Sequence, residues 1–156
     1  MYLSYSNNNK IIIPIVISLA LIVLQGFLPT IVLSEGLIIT CDLFFIYLTW
    51  LALNKKLYQI VIFAFFLGIF QDLVIQSDTV GLYAFIKVVS VYFINYLNKV
   101  RNLWGEISIV VYLFIIYFLH YFLYHYVFVN ELSIFMLTYI FLEAIVNLII
   151  FIICDK

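Results

Sequence analysis

Asp42, Asp72, Lys87 and Glu143 each interrupt a run of apolar side chains. In hydrocarbon a charged group costs about 3 kcal/mol even on the mildest scale, so such residues either pair with one another or bind protons or ligands. Ala64, Gly68 and Asp72 recur at i, i+4, i+8 and therefore share one helical face. Two small residues on that face let another backbone approach closely. The acid ending the track would then meet whatever packs there, or else reach headgroup water. Tyr139, Glu143 and Asn147 repeat the same spacing, which makes a hydrogen-bonding face between helices or a proton or ligand site. His120 and His125 are five residues apart, whereas two ligands on one helical face need three or four. They read as core or interfacial rings.

Charge and depth suggest one pair. At 1.5 Å rise per residue, Asp72 falls about 6 Å below the outer end of its run and Lys87 about 12 Å below the outer end of the next. A lysine stem snorkels by several Å. The expectation is an Asp72–Lys87 ion pair between two consecutive helices.

The elements that must carry these residues follow from composition. The 156 residues are 68% hydrophobic, 20% aromatic and 10% charged, with 16 Phe and 13 Tyr, and the mean hydropathy is +1.26. A soluble domain is roughly 45–50% apolar and about 25% charged. This chain has far more apolar side chain than a small soluble core can hide. A net charge of −1 gives no basic footprint for nucleic acid. The sequence predicts an all-α, polytopic transmembrane helical bundle forming a single domain over 1–156.

Polar punctuation divides the chain into about six spans, roughly 11–28, 37–53, 57–75, 80–97, 107–129 and 132–154. The first run is read as a retained span, since no small-x-small cleavage site follows it. In the second, Asp42 interrupts the run, and residues 29–40 are a candidate re-entrant segment. Lys10, Lys55–Lys56, Lys99/Arg101 and Lys156 then fall on one side, facing Glu35, Asp78 and Glu131 on the other. The positive-inside rule makes the cationic side cytoplasmic, with both termini inside. Cys41 and Cys154 lie in apolar runs and read as packing residues. No Gly-rich phosphate cradle, Cys/His metal spacing or nucleophile–base set is present in the sequence, so no cofactor or metal is expected.

Cys41-Asp42 opening an apolar run, the basic Lys55–Lys56 loop, Gly68-Ile-Phe-Gln71-Asp72-Leu73, Ser77, and Val80-Gly81-Leu82-Tyr83-Ala84-Phe85 resemble the rod-shape-determining membrane protein family MreD. In that family a Pro-Asp or Pro-Glu step opens the helix; here Cys41 stands in place of the proline. The resemblance implies a non-enzymatic scaffold of the bacterial cell-elongation (Rod) complex in the cytoplasmic membrane. Such a subunit binds single-span MreC and, through it, MreB and the peptidoglycan synthases. Two other classes stay open. The substrate-binding S-component of an energy-coupling-factor transporter also has about six spans, with Asp72, Lys87 and Glu143 as pocket candidates. A lipoprotein signal peptidase uses two intramembrane aspartates, which Asp42 and Asp72 would imitate.

Overall fold

A computed structural model describes residues 5–27, 31–34, 37–39, 41–75, 80–101, 103–128 and 134–155. Six helices follow the punctuation: α1 (Tyr5–Gln25), α2 (Leu43–Asn54), α3 (Leu57–Ile75), α4 (Leu82–Val100), α5 (Glu106–Phe128) and α6 (Ile134–Cys154). The fold is an all-α bundle with one small β-hairpin, β1 (Ile31–Ser34) and β2 (Leu37–Ile39). Three helices, α3, α5 and α6, are long and apolar enough to cross a membrane. Large apolar side chains lie exposed on their outer faces, among them Phe66, Ile115 and Phe141. In water that surface would be a liability; against lipid it is at home. The chain is built for a membrane.

The second span differs from the continuous helix expected over 37–53. Ile31 pairs with Ile39 and Val32 with Ile38 in an antiparallel hairpin whose register slips between Val32 and Ser34. The helix starts only after Asp42 and has 12 residues, about 18 Å against a hydrocarbon core of about 30 Å. The reason is local. The segment before Asp42 is rich in Ile and Val, which suit a pleated strand. The Asp42 carboxylate then accepts the Phe45 amide at 2.9 Å, the bond of an N-cap rather than of a helix interior. The re-entrant candidate 29–40 is thus a hairpin over its described part.

The short α2 is the centre of the bundle. Phe44, Phe45, Leu48, Thr49 and Ala52 are fully buried on it, and α1, α3, α4 and α6 all pack against it. Its far end is held from α4: the Asn95 side-chain amide donates to the carbonyls of Ala52 (2.6 Å) and Lys55 (2.9 Å). These are carbonyls that a helix C-terminus leaves unpaired. Midway, the Tyr117 hydroxyl of α5 donates to Thr49 Oγ1 at 3.0 Å, which donates to the Phe45 carbonyl at 3.0 Å.

Helices α3 and α4 share the most extensive contact among the described helices. A Cβ added at Gly68 would lie 2.8 Å from the Ala84 Cα and 2.9 Å from its Cβ. Only glycine lets the two backbones meet at that height. Gly81, at φ 94°, supplies the left-handed turn that opens α4. Along α4 the buried face carries Lys87, Ser90 and Asn95, while Phe85, Tyr92, Phe93 and Tyr96 point outward. This helix sets three polar side chains into an otherwise apolar buried face that also carries Ile86, Val91, Ile94 and Leu97.

Candidate functional site

The densest set of buried polar groups surrounds the N-terminus of α2. Asp42 uses one carboxylate oxygen to cap the helix and the other to receive the Lys87 ammonium at 3.0 Å. Its backbone N–H donates to Asn147 Oδ1 of α6 at 3.0 Å. The side chains of Lys87 and Asp42 are only 3% and 11% exposed, so water does little to solvate either charge. Each charge is compensated by the other, and the cation also lies 5.9 Å from the Phe44 ring centroid. A carboxylate at the positive end of the α2 dipole is favourable in its own right. Three helices, α2, α4 and α6, are thereby fastened at one point inside the bundle.

A second layer lies beside it. The Phe45 ring stacks on His120 of α5 at 3.8 Å and 9°. His120 Nδ1 and Ser90 Oγ of α4 are 3.0 Å apart, and Ser90 donates its proton to the Ile86 carbonyl at 2.9 Å. Toward the other end of α5, His125 Nε2 meets Glu143 Oε2 at 2.8 Å. The His125 ring lies edge-on to Tyr139 at 5.1 Å. The Asn147 amide donates to the Glu143 carbonyl at 3.0 Å. Tyr139, Glu143 and Asn147 are all buried, and the face they share joins α6 to α5 and α2. The Tyr121 hydroxyl, also buried, has no hydrogen-bond partner among the described residues.

The expected Asp72–Lys87 pair is not the one that forms. Asp72 Oδ2 instead accepts the amides of Gly81 (3.0 Å) and Ala84 (3.2 Å), capping α4 from the neighbouring helix. Depth did allow the expected pair; rotation forbids it. Ala84 faces Gly68 of α3, and Lys87, three residues on, is turned roughly 60° around α4, toward α2. Gly68 and the fully buried Ala64 belong to the same track, which α4 of this chain fills at Gly68 rather than leaving it open for another protein.

The structure therefore joins Asp42, Lys87 and Asn147, adds Glu143 and Tyr139 through α6, and places Asp72 in a separate capping role. Sequence reasoning missed Thr49, Ser90, Asn95 and Tyr117 and underweighted His120 and His125. The spacing of Lys87, Ser90 and Asn95 was the available signal, because they share a face of α4. Among the described residues no three His, Cys, Asp or Glu side chains gather as a metal site. Chemically, the arrangement spends its charges on holding helices together. No family model, curated protein or solved structure matches the chain.

Proposed function

We propose that this protein is a non-enzymatic scaffold in the bacterial cytoplasmic membrane, an MreD-like subunit of the cell-elongation machinery. The observation that carries the reading is that both intramembrane aspartates act as helix caps. Asp42 opens α2 and holds Lys87; Asp72 holds the first amides of α4. An aspartyl peptidase needs two carboxylates free to share a water, and these are engaged by different partners. A transporter pocket built from Asp72, Lys87 and Glu143 is disfavoured likewise, because the three bind α4 amides, Asp42 and His125 in turn. The motif positions support the resemblance. The acid that opens a helix in the MreD pattern is the α2 N-cap here, and the glycine after the turn is the left-handed Gly81.

In this reading all six helical segments belong to a multi-pass topology with both termini cytoplasmic. The hairpin and α2 together complete the second crossing. The partner is a single-span MreC-like protein, which links the scaffold to MreB and the wall synthases. Co-purification from detergent-solubilised membranes with a tagged MreC-like protein tests the proposal. Stoichiometric recovery is expected. Failure to recover the chain, or cleavage of a prolipoprotein by the purified protein, would refute it.

A further inference from the structure

An open groove of about 520 Å³ runs between α1, α2 and α6, and Asp42 and Lys87 are not among its lining residues. Its walls are apolar, with Ile17, Leu21, Ile46, Trp50 and Phe151 among them, and Lys55 and Asp155 also line it. Lys55 directly follows α2 and Asp155 directly follows α6. The two charges therefore lie at the same end of the groove, where both helices stop. Among the described residues neither side chain has an ion-pair partner.

Length and charge together select an occupant. The groove follows α2 from Leu43 to Lys55, about 18 Å, close to one leaflet's share, about 15 Å, of the hydrocarbon core. A transmembrane partner helix needs twice that. One acyl chain does not. An anionic headgroup would meet Lys55 favourably and be repelled by Asp155. A headgroup bearing both a phosphate and a primary ammonium satisfies both. The Lys55 stem can lie on the apolar wall while its ammonium stays at headgroup level.

We propose that this groove binds one phospholipid of the phosphatidylethanolamine class, its acyl chain along α2, its phosphate at Lys55 and its ammonium at Asp155. The site depends on membrane residence and not on the scaffold reading, so it stands or falls separately from the MreC-like partner.

The chain has two Trp, and Trp50 lines the groove. In a Trp104→Phe background, Trp50 fluorescence reports contact with phospholipids whose acyl chains carry bromine. In vesicles of phosphatidylcholine doped with the brominated lipid, brominated phosphatidylethanolamine should half-saturate quenching at a mole fraction about fivefold lower than brominated phosphatidylglycerol. Asp155→Asn should erase that preference, Lys55→Ala should weaken quenching by both lipids, and the exchange Lys55→Asp with Asp155→Lys should keep the preference. Equal quenching by both headgroups, or a preference that survives Asp155→Asn, would overturn the assignment. Quenching that rises linearly without saturation would show bulk lipid only and overturn it as well.

Discussion

The Lys87 ammonium of α4 closes on the Asp42 carboxylate at the head of α2, 3.0 Å away, with the whole of α3 intervening in the chain. An α-helix that begins inside a packed bundle leaves its first amides without partners. Asp42 answers the Phe45 amide, and Lys87 answers the charge that Asp42 brings. The Asn147 side chain accepts the Asp42 N–H. A short helix can therefore sit in the middle of the bundle with its exposed end satisfied by side chains from α4 and α6.

Asp72 should behave as a cap and not as a counter-ion. Asp72→Ala leaves the Gly81 and Ala84 amides without their acceptor and should cost about 1–3 kcal/mol, measured by unfolding in detergent or bicelles. Asp72→Asn keeps a carbonyl acceptor and should cost less. Its effect should add to that of Lys87→Met, because the two residues serve different partners. Strong coupling between them would restore the pair that the structure disfavours.

Gly68 should tolerate no side chain. Gly68→Ala places a methyl within 3 Å of the Ala84 backbone, which must retreat, at a cost of about 1–3 kcal/mol. Ala84→Gly in the same protein should recover only part of the loss, since the Ala84 Cα remains in the way. Full recovery would mean that the side chains alone, and not the backbones, set the α3–α4 distance.

Tyr121→Phe should be neutral or stabilising. The buried hydroxyl has no hydrogen-bond partner among the described residues, and removing an unsatisfied polar group relieves its desolvation cost, about 1 kcal/mol or more. The ring should keep its edge-on contact with Phe45, 6.4 Å between centroids. A loss of stability above about 1 kcal/mol would show that the hydroxyl has a bonded partner, such as an ordered water.

Long apolar runs between polar breaks made α3, α5 and α6 legible, because membrane helices are written in length and hydropathy. The hairpin was not, since a short run of β-branched residues reads equally well as a strand or as part of a buried helix. Position along a helix axis can be counted from sequence, so Asp72 and Lys87 were placed at compatible depths. Rotation about the axis relative to a neighbour cannot be counted, and it decided that Lys87 faces α2. His120 and Ser90 lie 30 residues apart on different helices, and nothing in either local sequence announces the other. The face shared by Lys87, Ser90 and Asn95 was readable. What it faced was not.

The claim that buried charges hold this bundle together is tested most directly by a double-mutant cycle on Asp42 and Lys87. Lys87→Met strands a buried carboxylate and Asp42→Asn strands a buried ammonium, so each should lower unfolding stability by about 3–5 kcal/mol. The double variant should be more stable than either single one, because replacing both partners removes both stranded charges. If the two single losses simply add, Lys87 and Asp42 do not depend on one another, and the account of α2 as a helix anchored by that pair is wrong.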